Sequence, residues 1–414
     1  MPRPEGRRAV ISSRDARRDL LWRVIAAEGI SVAGDWVLVT AASIQVYRET
    51  GSTAAVSGLL ALAAAPTILL GPIGGAIADR FPRTRIMVMA DLAIAMVLLA
   101  ASWAAGADLE LATAYIAVLA AAVSAAFHRP ASEALLPVLA GPEQLNRANS
   151  MLRLATRIAM IGGPALAGFL ISSGGFGVVL VFDAGTFLIS AGVVVTITGI
   201  AAPAGVERSA STFHAAREGL RYTRRHRDLS VIIGTVGATM VLGAIISAGT
   251  LAFVRTELGL PESRYGSLLA AEGAGAVVLA TCFILLGRRI PLLPTGAAAL
   301  ATMGAACAIL GVAPNLGAAM GVMAVMGMGE VGLQVAFSSY LQQQSEDAFR
   351  GRVMSLIAMV AQIGRLTGLA LAGPAVDLVG VPVAFGAAGT LICLGAMPVA
   401  AMAFANQRAP AVRA

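Results

Sequence analysis

The fold of this chain is decided by residues 53–105, which read TAAVSGLLALAAAPTILLGPIGGAIADRFPRTRIMVMADLAIAMVLLAASWAA. Two apolar runs, 53–78 and 84–105, flank a short turn that holds most of the charge. Each run is long enough to cross the ~30 Å hydrocarbon core of a bilayer, which takes about 20 helical residues. The stretch therefore predicts two neighbouring transmembrane helices joined on one side of a membrane.

The same pattern extends over the whole chain of 414 residues, of which 57% are hydrophobic and 13% charged. Soluble domains average about 25% charged residues. Hydropathy predicts an all-α membrane protein of twelve transmembrane helices in two six-helix bundles related by pseudo-symmetry. The predicted spans are 19–46, 53–78, 84–105, 110–136, 144–172, 176–200, 229–254, 263–287, 291–311, 316–342, 352–376 and 381–405.

Composition also excludes several functions. Every one of the 30 basic residues is an arginine. A phosphate-binding P-loop and Schiff-base catalysis both need a lysine, so we expect neither an ATPase of that type nor a lysine-dependent enzyme. The cysteines and histidines show neither disulfide nor metal-ligand spacing, which predicts no metal and no cofactor. They are Cys282, Cys307, Cys393, His128, His214 and His226.

The arginines predict the orientation, because cytoplasmic loops of membrane proteins are enriched in positive charge. The same rule accounts for the net charge of +7 without nucleic acid. On the predicted cytoplasmic side lie Arg3, Arg7, Arg8, Arg14, Arg17, Arg18, Arg80, Arg83, Arg85, Arg147, Arg288, Arg289, Arg350, Arg352, Arg408 and Arg413. On the opposite side lie Arg48, Arg255 and Arg264. We expect both termini in the cytoplasm and an uncleaved first span.

The chain divides into residues 1–200, a linker 201–228 and residues 229–414. The linker is expected to form a basic amphipathic helix near the membrane surface. It is either a solvated connector or a lipid or partner site. Its arginines are Arg217, Arg221, Arg224, Arg225 and Arg227. The halves also look repeated, since Arg147, Gly163 and Ala167-Gly168 recur as Arg352, Gly368 and Ala372-Gly373 at one offset. A parallel repeat of this kind is an architecture of membrane transporters.

The turn between the second and third spans resembles the signature loop of the major facilitator superfamily. Its pattern is filled by Gly75, Asp79, Arg80, Arg83 and Arg85, while Pro82 replaces a usual glycine. The resemblance implies a conformational latch, in which an aspartate at a helix end pairs with arginines in one state and releases them in another. The alternative is an ordinary cytoplasmic turn.

Two further resemblances point to export. Gly163, Pro164 and Gly168 in span five are similar to the glycine–proline motif of the exporter branch, although plain small-residue packing is an alternative. Other stretches look like the macrolide-efflux and enterobactin-exporter group. They are 34–36 (GDW), 47–52 (YRETGS), 127–137 (FHRPASEALLP) and 350–356 (RGRVMSL). Many drug–proton antiporters carry an arginine in the middle of span four, and this sequence has none there.

Charges inside the spans are the candidate site, because an ionisable group in the bilayer costs at least ~2–3 kcal/mol and usually has a task or a partner. Glu28 and Asp35 lie seven residues apart and so on one helix face. A partly dehydrated carboxylate can exchange a proton near neutral pH. The further candidates for proton coupling or for the cavity are Glu272, Glu330, Arg157 and Arg365. The alternative is fixed ion pairs, such as Glu330 with Arg365.

Arg153, Asp91 and Asp183 are expected to be structural. The function predicted from these features is proton-coupled export of a small amphipathic molecule, which is drug-like, macrolide-like or siderophore-like, by alternating access. An importer on the same fold and a non-transporting membrane sensor or assembly protein remain alternatives. No serine, histidine or metal arrangement predicts an intramembrane enzyme. The expected partners are the cargo, protons and lipid, without nucleic acid, for a monomer in the plasma (inner) membrane.

Overall fold

The structure is a computed structural model that describes residues 14–105, 109–197, 218, 220–286 and 290–408. Nearly all of these residues are helical. The first three helices are α1 Arg14–Thr50, α2 Thr53–Arg80 and α3 Arg83–Ala105. They are followed by one long helical stretch, Glu110–Val195. The second half begins with α7 Arg227–Thr256, which is followed by a short 3₁₀ turn at Glu262–Arg264. The remaining helices are α8 Tyr265–Leu286, α9 Leu292–Leu310, α10 Leu316–Gln344, α11 Asp347–Val379 and α12 Val381–Arg408.

The stretch Glu110–Val195 is three helices rather than one. Gly141 (φ 63°, ψ 172°) and Gly175 (φ 75°, ψ −176°) interrupt the helical backbone, in a conformation that only glycine adopts easily. We label the pieces α4 (110–140), α5 (142–174) and α6 (176–195). A single helix over the 49 residues of Arg147–Val195 would be ~70 Å long, more than twice the hydrocarbon core.

Eleven segments of the described chain are long and apolar enough to cross a membrane, and the break at Gly175 divides one of them into two crossings. The twelve predicted spans and the all-α membrane fold are therefore confirmed. Many large apolar side chains are exposed in the protein, as expected where lipid rather than water is the solvent. Examples are Leu69, Met89, Trp103, Ile284 and Leu378.

The chain separates into two compact units. The N-terminal unit comprises residues 1–45 and 62–207, and the C-terminal unit comprises residues 46–61 and 208–414. The end of α1 and the beginning of α2 thus belong to the C-terminal unit, whereas the sequence placed the whole of 1–200 in the first half. Of the predicted linker, residues 201–217 and 219 lie outside the described part of the chain.

Small residues set the packing inside each unit in a repeated way. A side chain at Gly163 of α5 would approach Trp36 Cβ of α1 to 2.6 Å, and a side chain at Gly368 of α11 would collide with the carbonyl oxygen of Val241 in α7. The offset is 205 residues from Gly163 to Gly368 and again from Trp36 to Val241. The sequence repeat is therefore also a repeat of helix contacts.

Candidate functional site

The first buried site lies in the N-terminal unit, where α1 carries Glu28 toward α4. Glu28 Oε2 accepts a hydrogen bond from Ser132 Oγ at 2.9 Å. The same oxygen lies 3.1 Å from Nε2 of His128, one helical turn earlier on α4. Because positions four apart share a helix face, α4 presents both partners to one carboxylate.

The other nitrogen of His128 faces a second carboxylate, which belongs to α3. Nδ1 lies 2.7 Å from Asp91 Oδ1, at ion-pair distance but without the alignment of a hydrogen bond. The side chains of His128, Glu28 and Asp91 are 7%, 10% and 0% exposed. We call these three residues the Asp91–His128–Glu28 cluster. It joins three helices through charged groups that are almost completely removed from the surface.

Asp35 lies beside this cluster and is more open, since 22% of its side chain is exposed. Its Oδ2 is 3.9 Å from Nη2 of Arg129, the residue after His128 in α4. Arg129 lies in the last third of the predicted span four, away from the middle position where many drug–proton antiporters carry an arginine. At 3.9 Å, with a half-exposed guanidinium, the ion pair is a loose one.

A small cavity connects the two acids. Its volume is about 10 Å³. Glu28 and Asp35 both line it, together with Ser31, Val32, Ala121, Ser124, Ala125, His128, Arg129 and Phe187. Glu28 and Asp35 of α1 thus border one common space, and their role in proton coupling stays a prediction.

Asp183 of α6 closes the other side of α1. Its Oδ1 accepts a hydrogen bond from Thr186 Oγ1 at 3.1 Å, and the residue is fully buried. Gly34 makes this approach possible, since a side chain there would collide with the Asp183 carboxylate and the Thr186 hydroxyl. The local role of Asp183 is therefore in the packing of α6 on α1, beside Asp35.

The second site is a cavity of about 240 Å³ in the C-terminal unit. Each of the helices α7 to α12 contributes to its wall. Glu272 of α8, Glu330 of α10 and Arg365 of α11 line it, as the sequence analysis grouped them. Most of the remaining wall is apolar or weakly polar, including Met240, Met303, Met323, Met326, Cys307, Ser247, Thr239 and Thr250.

Close packing of α8 on α10 places the two glutamates. A side chain at Gly327 would collide with the carbonyl oxygen of Glu272, so only glycine permits this approach. Glu330 follows three residues later and faces the same space. Among the described residues of this unit, no ion pair within 4.0 Å joins Glu330 to Arg365. The alternative of a fixed Glu330–Arg365 pair thus lacks the contact it requires here.

Arg157, the remaining candidate, lies on α5. Its Nη1 approaches Met160 Sδ at 3.7 Å, and it lines neither of the two cavities. A role in the site therefore stays a prediction for Arg157.

Of the residues in the predicted latch, Arg83 makes a contact within the N-terminal unit. Arg83, which begins α3, is buried, and its Nη1 donates a hydrogen bond to the carbonyl oxygen of Ala134 in α4 at 2.5 Å. Asp79, Arg80 and Arg85 are exposed. The ionic contacts expected of Asp79 stay a prediction, whereas the structure assigns Arg83 to an anchor between α3 and α4.

Gly74, rather than its neighbour Gly75, brings the end of α2 close to α4. A side chain at Gly74 would collide with the carbonyl oxygen of Ala126, while no described atom of the N-terminal unit lies within 4 Å of one placed at Gly75. In span five, Gly163, Pro164 and Gly168 are all buried, and α5 stays helical through Pro164. The visible contribution of this motif is close packing on α1.

Sequence reasoning missed His128 and Arg129 and set Asp91 aside as structural. A signal was available, since Ser124, His128 and Ser132 recur every four residues and so form a polar stripe on α4. The partner of that stripe, however, depends on how α1 and α3 are rotated against α4. Among the described residues, no group of three or more His, Cys, Asp or Glu is placed to hold a metal ion.

The fold is that of known membrane transporters. The nucleoside transporter NupG aligns with a TM-score of 0.70 at 14% identity, over 93% of this chain and 99% of that one. A bacterial homologue of the iron transporter ferroportin, in its inward-facing state, aligns with a TM-score of 0.71 at 16% identity, over 92% and 98% of the two chains. This likeness shows the class of fold, a bundle of twelve membrane-crossing helices.

The sequence relatives narrow this class. The multidrug efflux pump Tap of Mycobacterium tuberculosis is 28% identical over 395 residues, covering 92% of this chain and 93% of the relative. Macrolide efflux protein A of Streptococcus pyogenes is 25% identical over 393 residues, covering 90% and 93%. The family described as transmembrane secretion effector matches residues 16–413. The chain belongs to this family of the major facilitator superfamily and is a multi-pass membrane transporter.

Proposed function

We propose that this transporter exports small amphipathic molecules in exchange for protons, by alternating access across the plasma (inner) membrane, with both termini in the cytoplasm. The observation that carries the proposal is the pair of acids around one cavity of the N-terminal unit. Glu28 is enclosed by His128 and Ser132, whereas Asp35 is partly open beside Arg129. Paired acids in such different surroundings are suited to taking up and releasing a proton.

Export is favoured over import by the sequence relatives, since Tap and macrolide efflux protein A are both named as efflux proteins. The wall of the C-terminal cavity supports an amphipathic cargo. Methionine side chains adapt to varied apolar shapes, and promiscuous binding surfaces use them for that reason. Glu272, Glu330 and Arg365 add the few polar groups that orient a largely apolar ligand. Macrolides combine a large apolar ring with an amine, and macrolide efflux protein A is among the relatives.

In the proposed cycle, protonation of Asp35 or Glu28 from the outer side accompanies release of the cargo. Deprotonation toward the cytoplasm allows the next cargo molecule to bind. A proton changes the charge of a buried site and therefore shifts the balance between two packings of the helices. The loop with Asp79 and Arg83 is proposed to stabilise one of the two end states.

The test uses purified full-length protein in liposomes with an imposed pH gradient and the macrolide erythromycin as the probe. We expect wild-type protein to move erythromycin against its gradient only while the pH gradient lasts. Asp35→Asn is expected to reduce this gradient-driven transport at least about tenfold, because an amide cannot carry the proton. Asp19→Asn is the matched control on the same helix, since Asp19 forms an exposed pair with Arg23 at 2.7 Å.

Full gradient-driven transport by Asp35→Asn would remove Asp35 from the coupling scheme. Erythromycin accumulation driven by the opposite gradient would identify an importer. Complete indifference to the pH gradient, for erythromycin and for the fluorescent cation ethidium alike, would refute proton coupling.

A further inference from the structure

The Asp91–His128–Glu28 cluster and the small cavity beside it lie next to Asp35. We propose that Asp35 and this cluster form a proton relay, in which a proton taken up at Asp35 crosses the cavity to Glu28 while His128 holds the cluster together. The inference rests on the proposed proton coupling and adds the path and the groups that carry the proton.

The first argument is the geometry around the imidazole. His128 faces Glu28 with Nε2 and Asp91 with Nδ1, at 3.1 and 2.7 Å. A neutral imidazole has one N–H and one lone pair, so one of these carboxylates would meet a lone pair. The arrangement is satisfied when the imidazole is doubly protonated, or when one carboxyl group carries the proton itself. In every arrangement that avoids this repulsion, the cluster therefore holds one proton more than a neutral imidazole between two ionised carboxylates.

The second argument is charge. With a doubly protonated His128 and two ionised acids, the cluster has a net charge of −1 in a nearly closed space. Asp91 is fully buried, and neither of its oxygens has an aligned hydrogen bond in the described structure. A further proton on Glu28 makes the cluster neutral, and a neutral group is far less costly to bury than an ion. Of the two acids in the cluster, Glu28 lines the small cavity and Asp91 does not, so Glu28 is the acid that an incoming proton reaches.

The third argument is the cavity that connects Asp35 with Glu28. The cavity that Glu28, His128 and Asp35 share measures about 10 Å³, close to the space that one water molecule occupies. Its wall supplies several polar partners for such a water, including Arg129, Ser31 and Ser124. One water that contacts both Asp35 and Glu28 completes a hydrogen-bonded path between the more open acid and the enclosed one.

The charged groups around this path come from four helices. Asp35 and Glu28 lie on α1, Asp91 on α3, Arg129 on α4 and Asp183 on α6. Arg129 pairs loosely with Asp35 at 3.9 Å. The arrival of a proton at Glu28 weakens the charged contact of α1 with His128, which is a direct link from proton binding to helix packing.

The first experiment asks whether His128 holds its proton. The chain has three histidines, so full-length protein with ¹⁵N-labelled histidine in lipid nanodiscs gives a simple NMR spectrum. His128→Gln identifies the His128 signals, and His226→Gln is the control, since His226 lies outside the cluster beside the Tyr222 carbonyl oxygen. We expect both His128 nitrogens to be protonated between about pH 6 and 8, a range in which free histidine titrates.

The second experiment measures coupling in liposomes with erythromycin. His128→Gln keeps a polar side chain between the two acids but cannot hold the proton. We expect it to lower pH-gradient-driven efflux about tenfold or more, with erythromycin binding changed less than about threefold. In infrared difference spectra taken on acidification, wild-type protein should show a protonated carboxyl band that is absent in Glu28→Gln.

The outcomes separate the two proposals. Wild-type protein without pH-gradient-driven transport refutes the proposed function and the relay together. If wild-type transport is gradient-driven, the relay alone is overturned by a neutral His128 with both acids ionised, or by full coupling in His128→Gln. Should His128→Gln fail to fold, the NMR spectrum of the wild-type protein and the carboxyl band of Glu28 decide the question.

Discussion

Two adjacent glycines at the end of α2 are expected to respond in opposite ways to the same substitution. In Gly74→Ala the new methyl group collides with the carbonyl oxygen of Ala126 and lies 3.0 Å from its carbonyl carbon and 3.3 Å from Phe127 Cα. These are backbone atoms of α4 and cannot rotate aside, so α2 must move away from α4. In Gly75→Ala the methyl group enters open space.

The magnitudes follow from these contacts. Overpacking of a close helix contact costs about 1–3 kcal/mol, and we expect Gly74→Ala to lie in that range. Alanine in an unobstructed helix position is about 0.5–1 kcal/mol better than glycine, which predicts that Gly75→Ala is neutral or stabilising. The difference between the two variants should thus be about 1.5–4 kcal/mol. The signature-loop pattern, which contains Gly75, would by itself suggest the opposite order.

The assay is thermal unfolding of the purified full-length protein in one detergent, followed by the fluorescence of a thiol dye and by loss of monodisperse protein. Both variants and the wild type are heated at the same rate, since unfolding of a membrane protein is often irreversible and then reports a rate. A lower midpoint for Gly74→Ala and an unchanged or higher midpoint for Gly75→Ala are expected. Equal midpoints, or a larger loss in Gly75→Ala, would refute the assigned packing of α2 on α4.

Two further substitutions, each with a control, test the helix break at Gly175 and the hydrogen bond of Arg83 in the same assay. Gly175→Ala places a side chain at φ 75° and should cost about 1–3 kcal/mol of stability. Its control is Gly177→Ala in helical backbone, where the new methyl group would lie 3.7 Å from the Ser102 carbonyl oxygen and should not destabilise the protein. Arg83→Met removes the hydrogen bond to the Ala134 carbonyl oxygen. A hydrogen bond of this charged kind contributes about 1.5–3 kcal/mol to stability. Its control is Arg85→Met, which should change the midpoint little because Arg85 is exposed. Unchanged midpoints in Gly175→Ala or Arg83→Met would contradict these assignments.

The amino-acid sequence alone determined the class of this protein. Hydropathy is a local property, and a run of about 20 apolar residues has few stable alternatives in lipid to a membrane-crossing helix. For that reason the twelve spans, including the separation of spans five and six at Gly175, could be read from the sequence. The exporter resemblance was equally local, because it rested on short stretches such as 127–137, and the family match and the efflux relatives agree with it.

Only the tertiary structure decided which charges meet. His128 was visible in the sequence, but its contacts with Asp91 and Glu28 depend on how three helices rotate about their own axes and on how closely glycines let them approach. The same holds for Arg129 beside Asp35 and for the choice of Gly74 over Gly75 at the contact with α4. Packing of side chains from distant parts of the chain sets these features, and no local pattern of hydropathy or charge contains that information.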